Sequence, residues 1–288
     1  MDSPIKRAAV IGHPISHSKS PIIHGYWLRH HNIHGSYERI DIAPQDLERD
    51  FPKIFDQKVN NNPLCGVNVT IPHKQAVIPL LDRIDDTARA IGAVNTVYRD
   101  EKGRLTGTNT DAFGYMANLK AQAPDYNSVL DAAKGRAVHV LGAGGAARAI
   151  VYALAQDGAR DIRIANRSPE KTAAMIADLG LGKVASAVSW ADRHPESDVS
   201  LLVNTTSLGM AGQAELEIDI KKLDFSAIIS DIVYVPLETS LLRQASEAGL
   251  KTVTGLGMLV HQARPAFHAF FGVMPMVDKE LEELVLAL

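Results

Sequence analysis

The sequence predicts an α/β protein of two domains, the second built on a doubly wound parallel sheet. Three observations predict it. The chain has 288 residues, about the length at which one hydrophobic core stops growing and chains divide. Short apolar, β-rich runs alternate with helical periods along nearly its whole length, the pattern of sheets covered by helices. After Asp111 the alternation starts afresh with its own glycine-rich turn.

The first domain opens on Ala8-Ala9-Val10-Ile11-Gly12, a short buried strand running into a turn. A helix is expected from Pro21 through His31, with proline in its first turn. Tyr37 to Ile42 reads as a second strand and Pro44 to Phe55 as a helix. The alternating, β-rich run Gly66 to Ile71 follows, then short helices over Lys74 to Leu81 and Asp86 to Ile91. Thr96 to Thr108 reads as a hairpin turning at Asp100-Glu101-Lys102-Gly103. Such alternation predicts a largely parallel first sheet.

The second domain begins with a helix over Ala112 to Lys120 and a polar stretch from Pro124 to Lys134. Strand Ala137–Leu141, helix Ala143–Gln156, strand Ile162–Ala165 and helix Pro169–Leu179 come next. Strands Leu201–Asn204 and Ala227–Ile232, helix Thr239–Ala248 and strand Thr252–Thr254 complete the alternation. Two final helices, Gly257–Phe271 and Asp278–Leu288, fit neither half by order alone.

Composition narrows the function classes. The chain is 46% hydrophobic and 22% charged, with a net charge of −3. Its isoelectric point near 6.4 lacks the basic footprint of a nucleic-acid binder. No apolar run approaches the roughly 18 residues of a membrane span. Met1 to Arg7 is polar and short, unlike a signal peptide. The single cysteine, Cys65, forbids an internal disulfide and reads as a small buried hydrophobe. Together these features point to the cytoplasm. Eleven histidines invite a metal reading, but His24, His30, His31 and His34 have no Cys neighbours and no H-E-x-x-H helix. No metal is expected.

Val138-His139-Val140-Leu141 runs directly into Gly142-Ala143-Gly144-Gly145-Ala146-Ala147-Arg148. This is G-x-G-x-x-A at a strand-to-helix junction. Gly142 permits the tight turn, Gly144 lets backbone approach a pyrophosphate, and Ala147 lets helix and strand pack closely. Free N–H groups of the helix start, from Ala143 through Ala146, face the phosphates. The domain is therefore Rossmann-type. An NAD site usually carries a carboxylate at the tip of the next strand for the ribose 2′-hydroxyl. Here that tip is Asn166-Arg167-Ser168. A guanidinium grips a 2′-phosphate that a carboxylate would repel, and Lys171 adds a second positive charge nearby. The cofactor read from these residues is NADP(H).

The first domain holds polar clusters that packing does not explain. His17-Ser18-Lys19-Ser20-Pro21 lies at a strand-to-helix junction. Asn68 and Thr70 share one face of their strand, and Lys74 follows just beyond. Asn95, in Gly92-Ala93-Val94-Asn95-Thr96, and Asp111, in Gly107-Thr108-Asn109-Thr110-Asp111, add an amide and a carboxylate. Hydroxyls, amides, one ammonium and one carboxylate suit a small polyhydroxylated acid. The serines and Asp111 also serve as helix caps, because a cap and an anion site use the same N–H groups.

With these stretches in hand, the sequence resembles the shikimate dehydrogenase family. The matching segments are HSKSP (17–21), GVNVTIPHK (66–74), GAVNT (92–96), NTD (109–111), GAGGAAR (142–148), NRS (166–168), NTTSLGM (204–210), DIVYVPLET (231–239) and GLGMLVHQA (255–263). They cover nearly the whole chain. The resemblance implies a substrate domain over 1–110, an NADP domain over 111–255, and C-terminal helices over 256–288 returning to the first domain. It implies that Ser18 and Ser20 bind a substrate carboxylate, and that Asn68, Thr70, Asn95 and Gln262 hold hydroxyls. Lys74 and Asp111 match the catalytic pair. Thr205, Ser207, Met210, Tyr234, Gly255 and Met258 would line the nicotinamide or the cleft between domains, with Tyr234 on the substrate side. Core packing is the competing reading for Met258. Ser168 replaces the threonine frequent in NADP-specific members and keeps its hydroxyl.

The implied reaction is reversible reduction of 3-dehydroshikimate to shikimate in aromatic amino acid biosynthesis, the chorismate pathway. Hydride addition leaves negative charge on the former carbonyl oxygen, and Lys74 is the natural cation or proton donor there. Which of Lys74 and Asp111 moves the proton stays open. Two alternatives stand beside this: a quinate/shikimate dehydrogenase preferring NAD, and a non-catalytic NADP or shikimate sensor. Arg167 opposes the first, and the Lys74–Asp111 pair opposes the second. A monomer and a homodimer are both compatible with the sequence.

Overall fold

Ala8-Ala9-Val10-Ile11 is buried on both faces, so its strand is central. In the computed structural model, which describes residues 5–56, 62–129 and 136–287, β1 (Lys6–Gly12) lies between β2 (Gly35–Asp41) and β3 (Gly66–Val69), parallel to both. Helix α1 (Ser20–His30) makes the crossover from β1 to β2. The expected helix over 44–55 is broken. It consists of α2 (Leu47–Asp50) between two 3-10 turns, Pro44–Asp46 and Pro52–Phe55, because Pro52 cannot continue the helical hydrogen-bond ladder. The expected helix over 74–81 reduces to a 3-10 turn, Ile78–Leu80, with Pro79 at its centre.

A two-residue strand, β4 (Arg83–Ile84), precedes α3 (Asp86–Ile91), whose first turn is capped by Asp85 accepting from the Ala88 N–H at 2.7 Å. The hairpin is present as β5 (Thr96–Arg99) and β6 (Leu105–Thr108). The first sheet has the order β2-β1-β3-β5-β6-β4. It is mixed rather than largely parallel, because β5 runs antiparallel to both β3 and β6. The short β5–β6 connection can return β6 beside β5 only antiparallel.

The chain divides into two compact units, Met1–Thr110 with Val260–Leu288, and Asp111–Leu259. The second unit contains α4 (Asp111–Gln122), α5 (Tyr126–Val129), β7 (Ala137–Leu141), α6 (Gly145–Gln156), β8 (Ile162–Asn166) and α7 (Pro169–Asp178). These are followed by β9 (Ala185–Ser189), β10 (Val199–Asn204), β11 (Ile228–Asp231), α8 (Ser240–Glu247) and β12 (Lys251–Val253). Residues 130–134 of the expected polar stretch lie outside the described residues, as does residue 288 of the last expected helix.

The second sheet is wholly parallel, in the order β12-β11-β10-β7-β8-β9. That is the doubly wound dinucleotide order, and β9, which the sequence reading missed, is its edge strand. Three of its five residues, Ser186, Ala187 and Ser189, are exposed, so it lacks the continuous apolar run that marks a strand covered on both faces. The order reverses between β7 and β10, and ligands of such sheets bind outside the strand ends at that switch point.

Helix α9 (Leu256–Phe271) contributes its residues from Val260 onward to the first unit. There Phe267 packs on Trp27 with ring centroids 5.5 Å apart. A Cβ on Gly66 would stand 2.2 Å from Phe270 Cδ1, so β3 needs glycine where α9 crosses it. Helix α10 (Lys279–Leu286) is capped by Asp278, whose Oδ1 accepts from the Leu281 N–H at 2.9 Å. The opposite carboxylate oxygen of Asp278 accepts from the Tyr26 hydroxyl at 2.9 Å. No helix among the described residues is long and apolar enough to cross a membrane.

Candidate active site

In the first unit the parallel strands β1 and β3 bring their C-terminal ends together. The Thr70 N–H donates to Ile11 O at 2.9 Å, and the His13 N–H donates to Ile71 O at 3.0 Å. A Cβ on Gly12 would lie 2.5 Å from Thr70 Cγ2 and 2.9 Å from Ile71 O, so only glycine admits this approach. The end of β2 then holds the serine loop. Asp41 accepts from His13 Nδ1 at 2.6 Å and from the Ile15 N–H at 3.1 Å. Those bonds hold its carboxyl below the usual carboxylate range. Arg39 donates two hydrogen bonds to Ser18 O, at 2.9 and 2.6 Å.

Ser18 Oγ accepts from the Ser20 N–H at 3.3 Å, giving the helix start a local partner. Ser18 is half-buried and Ser20 is buried. Between them, Lys19 donates to Val285 O at 3.1 Å, tying the loop to the end of α10.

Beside this loop runs a buried polar web. The Tyr37 hydroxyl donates to Asn68 Oδ1 at 2.6 Å. Asn68 Nδ2 donates to Thr96 Oγ1 at 3.0 Å and to Asn95 O at 3.3 Å. Asn95 Nδ2 donates to Thr110 Oγ1 at 2.9 Å and to Gln262 Oε1 at 3.3 Å, while its Oδ1 accepts from the Thr110 N–H at 2.8 Å. Asn68, Asn95 and Gln262, picked out separately in the sequence, are thus joined.

Lys74, half-buried, sits on the turn after β3, and its carbonyl accepts from the Val94 N–H at 2.7 Å, linking it to the strand carrying Asn95. The neighbouring His73 ring is buried and 2.6 Å from Ile42 O through Nε2. Asp111 is buried at the first residue of α4, in the second unit.

In the second unit the glycine turn lies at the switch point. Gly142 has φ +106°, and a Cβ there would stand 2.7 Å from Thr205 Oγ1. Thr205 bonds across the switch point twice, donating from N–H and Oγ1 to Leu141 O at 2.9 and 2.6 Å. Gly144 is exposed, and a Cβ there would meet nothing within 4 Å. The first turn of α6 follows with half-buried Gly145 and Ala146, and no side chain caps the helix. That cradle fits a pyrophosphate, because the first N–H groups of a helix have no partner within it.

At the tip of β8, Asn166 Nδ2 donates to Ser168 O at 3.0 Å, shaping the turn that carries the exposed Arg167. Lys171 is exposed on the first turn of α7. Ser207 and Met210 are exposed on the loop after β10, where the Met210 N–H donates to Ser207 O at 3.2 Å. Tyr234 is half-buried, and burial raises the pKa of its hydroxyl. A Cβ on Gly255 would lie 2.3 Å from Ile232 O. Met258 is 8% exposed and belongs to the core with Tyr115 and Ile228. Among the described residues there is no group of three or more His, Cys, Asp or Glu side chains placed to hold a metal ion.

Residues 10–97 match the model described as the shikimate dehydrogenase substrate binding domain, and residues 126–223 match that of shikimate / quinate 5-dehydrogenase. The chain is 47% identical over 292 aligned positions to the shikimate dehydrogenase (NADP(+)) of Chelativorans sp., covering 100% of this chain and 98% of that one. The chain belongs to the shikimate dehydrogenase family.

Two solved structures show how this family's fold carries different ligands. The Thermus thermophilus shikimate 5-dehydrogenase, in complex with NADP(H) and shikimate, is 35% identical, with a TM-score of 0.79 and 98% of each chain covered. The quinate dehydrogenase of Corynebacterium glutamicum, in complex with NAD, is 30% identical, with a TM-score of 0.86 over 99% of this chain and 100% of that one. As a family member the chain has the expected α/β architecture, an N-terminal α/β part and a Rossmann-type sheet.

Sequence reasoning missed several polar residues of the site. Thr96 and Thr110 lay inside motifs already singled out, and buried hydroxyls beside two amides were a usable signal. Tyr37, Arg39 and Asp41 had no such signal. They belong to a strand whose charged and polar alternation reads as an ordinary edge.

Proposed function

We propose that this chain catalyses the reversible NADPH-dependent reduction of 3-dehydroshikimate to shikimate, a step of aromatic amino acid biosynthesis. The observation that carries the reading is the polar web joining buried Asn68 and Asn95 to half-buried Gln262 in a member of the shikimate dehydrogenase family. Rigid, mutually bonded amides present a polar surface in one orientation, which suits ring hydroxyls and not an apolar ligand, because desolvating polar groups without new hydrogen bonds is unfavourable.

In this reading Ser18 and Ser20 take the substrate carboxylate, and Asn68, Thr70, Asn95 and Gln262 its hydroxyls, with Tyr234 completing the pocket. Bound NADPH supplies the hydride. Gly142, Ala143, Gly144, Gly145 and Ala146 cradle its pyrophosphate. Asn166, Arg167, Ser168 and Lys171 hold the 2′-phosphate, where a bidentate guanidinium contributes most. Thr205, Ser207, Met210 and Gly255 shape the nicotinamide end, with Met258 packed beneath.

Lys74 meets the negative charge that develops on the substrate oxygen, either as a cation or by giving up a proton. Asp111 is the second member of the pair; whichever of the two gives the proton to that oxygen during reduction takes it back during oxidation, while the other holds its partner and the substrate in place. The substrate unit is Met1–Thr110 with the C-terminal helices, and the cofactor unit is the remainder. The setting proposed is the cytoplasm, as a monomer or a homodimer.

Initial rates of shikimate and quinate oxidation with NADP and with NAD test the whole reading. Turnover of shikimate with NADP, well above the other three combinations, is expected. Faster quinate oxidation with NAD would replace this reading with the quinate dehydrogenase alternative. Absence of turnover in all four would leave a sensor.

A further inference from the structure

Asp231 and Asn204 stand side by side at the ends of β11 and β10, and their side chains are buried, at 1% and 0% exposure. Asp231 Oδ1 accepts from Asn204 Nδ2 and from the Val233 N–H, both at 3.0 Å, and Oδ2 accepts from Thr239 Oγ1 at 2.8 Å. Asn204 reaches the other way. Its Nδ2 donates to Leu208 O at 3.2 Å, and its Oδ1 accepts from Thr206 Oγ1 at 2.7 Å and from the Thr206 N–H at 3.0 Å. Thr206 Oγ1 in turn accepts from the Leu208 N–H at 3.1 Å. Two loops, 205–210 and 233–239, are therefore fastened to one buried carboxylate–amide pair.

The surroundings of this pair are apolar, with Leu202, Ile229 and Leu241 in the adjoining core. A carboxylate in such a place is a poor source of stability. Well-packed apolar groups of similar volume often do as well or better, and burial raises the pKa of the Asp231 carboxyl. What a buried polar pair supplies and an apolar pair does not is a fixed set of directions for the backbone groups it bonds. Those groups belong to the loops that carry Thr205, Ser207, Met210 and Tyr234, on the β10 side of the switch point.

We propose that Asp231 and Asn204 are positioning residues for the nicotinamide half of the cofactor, setting the 205–210 and 233–239 loops against which that half is oriented. This rests on the NADP reading above. The adenine half depends on the β8 tip, to which none of these bonds runs, and on the glycine turn, which meets the 205–210 loop at Thr205 and at the Thr206 methyl group.

The experiment compares the full chain with Asp231→Asn and Thr206→Val. The second variant removes the Thr206 hydroxyl's bonds to Asn204 Oδ1 and from the Leu208 N–H, and preserves side-chain volume and the methyl group beside Gly142. Calorimetry measures dissociation constants for NADP and for 2′-phospho-ADP-ribose, the cofactor lacking nicotinamide. Steady-state rates with NADPH and with NADPH deuterated at the transferred position give kcat and its isotope effect.

In both variants 2′-phospho-ADP-ribose is expected to bind within about twofold of the parent chain. NADP should bind roughly three- to tenfold more weakly, the worth of about one net hydrogen bond. kcat should fall and its isotope effect rise, because misorientation slows hydride transfer itself. Equal weakening of both ligands would show a merely structural role and overturn the proposal, as would unchanged kcat and isotope effect. If Asp231→Asn fails to fold, Thr206→Val decides by the same readings. Failure of the parent chain to bind 2′-phospho-ADP-ribose would instead overturn the NADP reading.

Discussion

The Tyr37 hydroxyl donates to Asn68 Oδ1 at 2.6 Å, while the Tyr37 ring lies stacked on His24, centroids 3.9 Å apart and planes 11° from parallel. The stack leaves the ring of Tyr37 little freedom, so its hydroxyl meets the amide in one geometry. Asn68 is thereby fixed from two sides, by Tyr37 and by Thr96. Its amide orientation is then settled before any ligand arrives, which lowers the ordering cost of binding.

Tyr37→Phe keeps the stack and removes the donor. One net hydrogen bond is worth about 0.5–1.5 kcal/mol, so the KM for shikimate should rise roughly two- to tenfold. The KM for NADP should not move, because Tyr37 belongs to the other unit. Steady-state kinetics check this, and an unchanged shikimate KM would remove Tyr37 from the site.

His24 is fully buried, and neither ring nitrogen has a hydrogen-bond partner among the described residues. Desolvation brings its pKa down from 6.5 to about 3. The unfolded chain takes up this proton near pH 6.5, and the folded chain does not until about pH 3. The contribution to stability is therefore complete above pH 6.5 and lost progressively as pH falls toward 3, a span worth a few kcal/mol. His139, brought down to about 4 by burial, acts in the same window. In His24→Phe, denaturant unfolding between pH 7 and pH 4 should show a shallower fall in stability than in the parent chain. Parallel curves would mean that His24 is protonated in the folded protein.

Lys74→Ala should lower kcat by about 10²–10⁴-fold, the usual worth of a positioned acid or cation. The dissociation constant for NADP should stay nearly intact, since the glycine turn and β8 tip are untouched. Turnover close to the parent value would discard the catalytic role. Lys74→Arg, which keeps the charge but resists deprotonation, separates electrostatic help from proton transfer.

Arg167→Ala should weaken NADP binding by roughly 10- to 100-fold and leave NAD binding within about twofold. A hydrogen-bonded charge pair contributes about 1.5–3 kcal/mol, and NAD has no 2′-phosphate to lose it. Equal loss for both dinucleotides would place Arg167 outside the 2′-phosphate site.

Gly255→Ala should lower the melting temperature. The new methyl group would be 2.3 Å from Ile232 O, a backbone atom with no flexible end to give way. Overpacking of this kind costs about 1–3 kcal/mol, and calorimetry checks it. An unshifted transition would show that the 232–255 contact relaxes freely.

Local patterns determined much of this protein before any tertiary structure. The strand–glycine turn–helix at 137–156, and a β8 tip without a carboxylate, announce the dinucleotide fold and its preference for a 2′-phosphate. Each depends on residues within about thirty positions of one another. Repeated β–α alternation announces a parallel sheet covered by helices; the polar motifs of the first domain marked Asn68 and Asn95, and the family resemblance added Gln262.

Only tertiary structure decided which of those residues meet, and which unremarkable ones support them. Tyr37 and Asn68 lie 31 positions apart, and Asn204 and Asp231 lie 27 apart. Lys19 reaches Val285 across 266 positions, and Phe270 fills the space that Gly66 vacates. Periodicity encodes the face a residue presents, not the partner it finds there. The antiparallel pairing of β5 with β3 was hidden for the same reason, whereas β9 was hidden because its exposed residues carry no apolar run. Strand direction and pairing are set by how elements pack around a core, and a run of residues carries no record of its neighbour's direction.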